Sequence, residues 1–235
     1  LNQHPNGVVV VPAEPEITRD FTTALHENNI PFIMLDSYMP ELKPLSFYGQ
    51  DSFSSGFFAA KVLMMKAFDQ QEIMLMKQIK NGHVTSTQQA NREVGFRNYM
   101  KKFFPQVKII EVNLPLDCSK EEHSAILEDY FTHHPHTHHC ITFNSKAYLV
   151  GEFLLQTQRN DIQIMGYDMV ARNAESLRKG NISFLIAQHA YMQGYSCIDA
   201  LFRVIVLKKK IQPVNYMPIE LIMKENIDFY RRTQL

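Results

Sequence analysis

An α/β fold, with parallel sheet wound by helices on both faces, is predicted by three observations. Short apolar runs alternate with longer stretches of helical periodicity along nearly the whole chain. Those runs are continuously apolar rather than alternating, as suits strands buried on both faces. Polar residues then stand repeatedly where such a run ends.

In chain order, Gly7-Val8-Val9-Val10-Val11-Pro12 is β-branched and bounded by Gly and Pro, so it reads as a strand buried on both faces. A helix follows with Phe21, Ala24 and Leu25 on its inner face, ending near Asn28-Asn29. Ile30 to Asp36 reads as a second strand that stops on a carboxylate. Further strands are expected at residues 47–50, 72–77, 107–112, 140–143, 162–165, 182–187 and 219–223. Helices are expected between them, at 54–68, 88–104, 120–133, 145–158, 171–179 and 192–207. Gly180 is a good stop for the 171–179 helix, because Gly tolerates the left-handed conformation found there.

The 235 residues are 45% apolar, and 24 basic residues balance 24 acidic ones, an ordinary globular composition. Zero net charge argues against a nucleic-acid grip within this chain, since phosphate binding needs a clustered positive field. The one compact basic run, Lys208-Lys209-Lys210, follows an apolar helix and reads as an offset to its macrodipole. Cys118, Cys140 and Cys197 are odd in number, widely spaced and free of any Cys-x-x-Cys pair, which points to a reducing, cytoplasmic compartment. No apolar run approaches the ~18 residues needed to span a bilayer. The polar opening Leu1-Asn2-Gln3-His4 is not a signal peptide.

Sheets of this kind bind ligands at the carboxyl ends of their strands, where backbone groups and helix N-termini converge. That rule selects Asp36, Asp51, Asn144, Asp168 and Gln188. No Gly-x-Ser-x-Gly elbow, phosphate loop or dinucleotide turn is present, so no enzyme activity and no cofactor are expected.

Five segments resemble one family. Asp51-Ser52-Phe53-Ser54-Ser55-Gly56 with Ala59 is similar to the Asp-Asn-x-x-Gly-x-x-Ala stretch of LacI-type regulators and ribose-type periplasmic binding proteins. Arg92-Glu93-Val94-Gly95-Phe96 resembles their Arg-x-x-Gly-Phe, and Asn144-Ser145-Lys146-Ala147 their Asn-Asp-x-x-Ala. Gly166-Tyr167-Asp168 resembles Gly-Tyr-Asp, and Ile186-Ala187-Gln188 with Gly194-Tyr195 resembles Ile-x-Gln with a downstream Gly-Tyr. The ending Pro218 to Asn226 looks more like the regulator branch.

The resemblance implies a periplasmic-binding-protein type I fold: two doubly wound, Rossmann-like lobes joined by three crossovers, with ligand in the cleft. The N-terminal lobe would hold residues 1–51 plus 189–216 and the C-terminal lobe 52–188 plus 217–235. The family's first two strand–helix units have no counterpart here, so the lobe is expected to be incomplete. A helix-turn-helix headpiece would lie outside this chain.

The resemblance also assigns roles. Arg92 would bond sugar hydroxyls or an anionic group; the alternative is a surface Arg paired with Glu93 or a neighbouring acid. Asp168 and Asn144 would contact ligand, or instead cap the helices that follow. Gln188 would bridge to ligand or satisfy backbone groups at a crossover. Asp36 ends a strand where ribose-type binders carry Asp followed by Arg, and Ser37 replaces that Arg. Asp51 and Gly56 would be hinge or structural residues. Tyr148, Tyr167 and Tyr191 could stack on sugar faces, although aromatics at such positions are more often in the core. The run His133-His134-Pro135-His136-Thr137-His138-His139 invites a metal reading, but Pro135 breaks it and no partner carboxylates follow, so it reads as a solvated loop.

The expected function is therefore an effector-binding and dimerisation domain of a bacterial LacI-type transcriptional regulator, taking a small ligand of sugar type. Cleft closure would alter operator-DNA binding through the headpiece of a homodimer. The alternative is a periplasmic sugar-binding protein of a transport or sensing system.

Overall fold

The computed structural model describes residues 4–65, 71–84 and 86–232. The elements begin with β1 (Val8–Val10), α1 (Pro15–Glu27), β2 (Phe32–Leu35), β3 (Ser46–Gly49), α2 (Ser52–Met64) and β4 (Glu72–Ile79). They continue with α3 (Thr87–Phe103), β5 (Lys108–Pro115), α4 (Lys120–His133), β6 (His139–Ile141), α5 (Ala147–Gln156) and β7 (Gln163–Tyr167). The last are α6 (Ala171–Lys179), β8 (Phe184–Ala187), α7 (Ala190–Ile205), β9 (Val214–Tyr216), β10 (Glu220–Ile222) and α8 (Ile227–Arg232). Strands alternate with helices, and the α/β fold read from the sequence is the fold observed. No helix of the described residues is long and apolar enough to cross a membrane.

Two compact units divide the chain. The first comprises Leu1–Asp51, Ser86–Gln88 and Gln188–Pro218; the second comprises Ser52–Thr85, Gln89–Ala187 and Ile219–Leu235.

In the first unit a parallel sheet runs in the order β1-β2-β3-β9. Its two faces are separated by the period-2 alternation of β2: Phe32 and Met34 pack with Leu25 of α1, while Ile33 packs with Cys197, Ala200 and Leu201 of α7. The second unit builds a six-stranded sheet in the order β10-β8-β7-β6-β4-β5, parallel except for β10. Met74 and Met76 of β4 join Leu127, Phe131, Val150 and Leu177 from α4, α5 and α6 on one face. Ile73 and Leu75 join Ala59, Leu63 and Phe96 from α2 and α3 on the other. Helices cover both faces, which is what continuously apolar strands require.

Several expectations are corrected. Among the described residues β1 pairs on one side only, with β2, so Val8 and Val9 are half-buried and only Val10 is enclosed. Helix α1 buries Thr18, Thr22 and Leu25, while Phe21 lies outside. The threonines can be buried because their hydroxyls donate to the carbonyls of Glu14 and Thr18, four residues back. The helix expected over 145–158 begins only at Ala147, because the Asn144 side chain first takes the Lys146 amide into a turn. The helix expected to reach Phe68 ends at Met64, and residues 66–70 lie outside the described residues. Strand β9 was not anticipated. Its Val-Asn-Tyr carries no apolar run, and it is held by pairing to β3 and by Asn215 Nδ2 donating to Ser46 Oγ at 2.9 Å.

Candidate functional site

Asp36, Asp51, Asn144, Asp168 and Gln188 stand just past strand carboxyl ends, whereas Arg92 is carried by a helix. In the second unit Arg92 lies on α3, 1% exposed, with NH1 donating to the Phe143 carbonyl at 2.8 Å. Its guanidinium lies 4.0 Å above the centre of the Tyr167 ring. Tyr167 is fully buried, and its hydroxyl accepts from Ser55 Oγ at 3.1 Å. Burial pushes the Tyr167 phenol up to about 12, although Arg92 and Ser55 pull it down, so a neutral ring faces the cation. The surface alternative for Arg92 is thereby overturned. Glu93 pairs instead with Arg97 and Lys77, at 2.7 and 3.0 Å.

Arg92 can be so deeply held because α2 and α3 touch backbone to backbone. A Cβ on Gly56 would lie 1.8 Å from the Arg92 carbonyl oxygen, and one on Gly95 would lie 2.0 Å from that of Phe53. Gly56 therefore sits inside α2 as a packing residue.

Asn144 follows β6, is 8% exposed, and accepts at Oδ1 from the Lys146 amide and from Thr142 Oγ1. Its Nδ2 reaches Gln89 Oε1 at 3.4 Å. The N-cap position of α5 belongs to Lys146, so Asn144 is not that cap. Asp168 follows β7 with φ +69°, its amide donating to the Ile186 carbonyl at 3.0 Å. The N-cap position of α6 belongs to Val170, so Asp168 is not that cap either. A left-handed φ at a non-glycine residue costs energy that the surroundings must supply. Here Asn173 supplies it. Its Nδ2 donates to the carbonyls of Ser145, Tyr167 and Asp168, and its Oδ1 accepts from the Tyr148 amide. Asn173 is wholly buried and fastens the loops after β6 and β7 together. Sequence reasoning missed it, because nothing marks a lone Asn within a helix as a loop clamp.

In the first unit Asp36 repeats the geometry of Asp168. It follows β2, has φ +71°, and its amide donates to the Tyr48 carbonyl on the neighbouring strand at 2.9 Å. Gln188, just past β8, is 8% exposed, and its carbonyl accepts from the buried Gln193 side chain at 2.6 Å. Gln88, which sequence reasoning did not select, donates to both Asp36 and Gln188. Asp51 immediately precedes α2, beside Gln50, whose Nε2 donates to the Pro218 carbonyl at 2.7 Å.

Of the three tyrosines, Tyr148 and Tyr167 are buried and Tyr191 is 60% exposed on α7, so the core expectation fails for Tyr191. Tyr148 lies beneath Arg172, whose guanidinium is 3.8 Å from the ring centre.

The histidine-rich connection differs from a solvated loop. His134 meets Glu72 at 3.3 Å and His138 meets Asp161 at 2.8 Å, while His139 is buried. The partner carboxylates come from β4 and from the segment before β7 rather than from nearby sequence. Glu72, His134 and His138, together with Gln71, His133, Pro135 and His136, line a cavity of about 440 Å³ at the amino end of β4, away from the strand carboxyl ends. Among the described residues no three His, Cys, Asp or Glu side chains converge as metal ligands.

Residues 1–210 match the family described as periplasmic binding protein domain. A comparison with curated proteins gives no match. Among solved structures, a protein from Bacteroides fragilis described as a LacI transcriptional regulator is 44% identical, with TM-score 0.94, covering 97% of this chain and 79% of that one. GanP, a glucose-galactose binding protein from Geobacillus stearothermophilus, is 18% identical with TM-score 0.83, covering 96% and 79%. A carbohydrate transporter solute binding protein from Agrobacterium radiobacter, solved with D-arabinose, is 20% identical with TM-score 0.82, covering 100% and 79%. By the extent of the family match and the identity to the B. fragilis protein, this chain belongs to the periplasmic binding protein domain family, in its LacI-type group.

Proposed function

We propose that the chain is the effector-binding domain of a LacI-type transcriptional regulator, that its effector is a small carbohydrate, and that it works by binding rather than catalysis. The observation that carries this reading is the buried Arg92, locked by the Phe143 carbonyl and the Tyr167 ring, with Asn144 and Asp168 in the same unit. A fixed guanidinium, an amide and a carboxylate match hydroxyls that both donate and accept. Preorganised groups hold a weakly hydrophobic polyol because little ordering is left to do on binding. The first unit, by itself, carries a carboxylate and an amide of the same chemistry in Asp36 and Gln188.

The regulator reading is favoured over transport by the 44% identity to the B. fragilis protein and by three free cysteines among the described residues. The solute-binding reading draws its support from the carbohydrate-binding proteins of like fold. In the regulator the ligand biases a two-state equilibrium, and the differential affinity of the two states for operator DNA is the output. The complete protein, a homodimer with helix-turn-helix headpieces, is the object to test. Its affinity for the DNA upstream of its own gene is expected to change about 10-fold or more when the sugar that binds is saturating. Ligand binding without any change in DNA affinity, or no DNA binding at all, would move the assignment to the solute-binding reading.

A further inference from the structure

The first unit contains a polar network centred on Gln88, the second residue of α3. Gln88 is 5% exposed. Its Nε2 lies 2.7 Å from Asp36 Oδ1, 3.0 Å from the Asp36 carbonyl oxygen and 2.8 Å from Gln188 Oε1. An ionised carboxylate and a backbone carbonyl can only accept, so the amide must turn its nitrogen toward them. Both amide hydrogens are then committed, and Gln188 is set with its oxygen toward Gln88. A second link, Ser37 Oγ to Thr87 Oγ1 at 2.7 Å, holds the same two segments together. Among the described residues no donor reaches Gln88 Oε1 or Asp36 Oδ2.

We propose that Gln88 determines the ligand class: by spending its hydrogens on Asp36 and Gln188 it leaves acceptors facing the ligand, and so selects a neutral polyhydroxylated sugar over an anionic one. The inference rests on the reading that the chain binds a carbohydrate at its strand ends, and narrows it. Asp36 Oδ2 and Gln88 Oε1 each take a hydroxyl hydrogen. A phosphate or carboxylate in their place would bring acceptor against acceptor and negative charge against the Asp36 carboxylate. Gln88 is a positioning residue for Asp36 and Gln188 as well as a contact in its own right. Ser37, next to Asp36, is neutral and so adds no cation that could neutralise an anion there.

The test uses the complete protein with D-arabinose, D-galactose and the phosphate ester of each, followed by titration calorimetry across pH. The parent sugar is expected to bind at least about 10-fold more tightly than its ester. In Gln88→Glu, two carboxylates face one another where an amide and a carboxylate stood. At about pH 8 sugar affinity is expected to fall by about 10-fold or more, and to recover toward pH 5 as the pair comes to share a proton. The unsubstituted protein should show no such recovery, and Gln88→Met should lose affinity at every pH.

Unliganded melting temperatures of each variant separate lost binding from lost folding. A phosphate ester that binds more tightly than its parent overturns the proposal. So does a Gln88→Glu variant that binds like the parent protein at every pH, or one equally weak at every pH. If no carbohydrate binds the unsubstituted protein, the carbohydrate reading itself has failed.

Discussion

At the scale of single residues, glycines decide how closely α2 and α3 approach, and hence how deeply Arg92 is held. A Cβ at Gly56 or Gly95 would strike backbone oxygen of the facing helix, which cannot rotate away. Gly56→Ala and Gly95→Ala are each expected to cost about 2–3 kcal/mol of unfolding free energy in urea titrations, the overpacking range. Gly194, in the interior of α7, meets nothing within 4 Å. Gly194→Ala is therefore expected to be neutral or to stabilise by about 0.5–1 kcal/mol. Equal effects at all three sites would contradict the close-approach account. The sequence showed Gly56 and Gly95 as parts of family-like motifs, yet their common purpose, one helix pair, needed the packing to be seen. Asp36 and Asp168 were legible because both end an apolar run. Their shared left-handed geometry was not, since it is set by neighbouring strands distant in sequence. Gln88 and Asn173 were illegible for the same reason. Their partners lie 52 and 100 residues away for Gln88 and up to 28 for Asn173.

Among the elements, the strands were the most legible, because burial on both faces writes itself as an apolar run. β6, β7 and β8 lie inside their sheet and are almost wholly buried. Edges were harder. β5 carries Lys108, Glu111 and Asn113 outward, and β9 has no apolar run at all. The histidine-rich connection between α4 and β6 shows how a local reading of polarity misleads when partners come from another strand. Glu72, at the start of β4, is held below its ordinary carboxyl value of 4.5: burial pushes it up, but hydrogen bonds from Thr137 and His134 and the His134 charge outweigh that. A carboxyl lowered on folding stabilises above its unfolded value, and that contribution is lost as pH falls through the lowered one. Glu72→Gln is thus expected to destabilise by about 1–2 kcal/mol at neutral pH. The difference from the parent protein should shrink in urea titrations run below about pH 4. A pH-independent difference would mean that Glu72 acts through shape alone.

For the whole molecule, two units built on the same strand–helix grammar each carry an aspartate one residue past a strand, with its amide fixed to the adjacent strand. That repetition accounts for why a chain of zero net charge and no catalytic motif carries its polar chemistry at strand ends. The fold was legible as a pattern of alternating elements, and the family as five short motifs in order. Ligand identity was not, because hydroxyl recognition depends on which hydrogens are already spent within the protein, and that is a property of the folded network.

The most direct test of the account is titration calorimetry of the complete protein with neutral pentoses and hexoses, beside Asp168→Asn. Asn suits this comparison because it tolerates the left-handed φ of residue 168 while removing the charge. The account predicts saturable binding of at least one sugar, weakened about 10- to 100-fold in Asp168→Asn with the unliganded fold intact, as expected for losing a charged hydrogen-bond acceptor. Binding that is unchanged in Asp168→Asn, or folded protein that takes up no sugar, would contradict it.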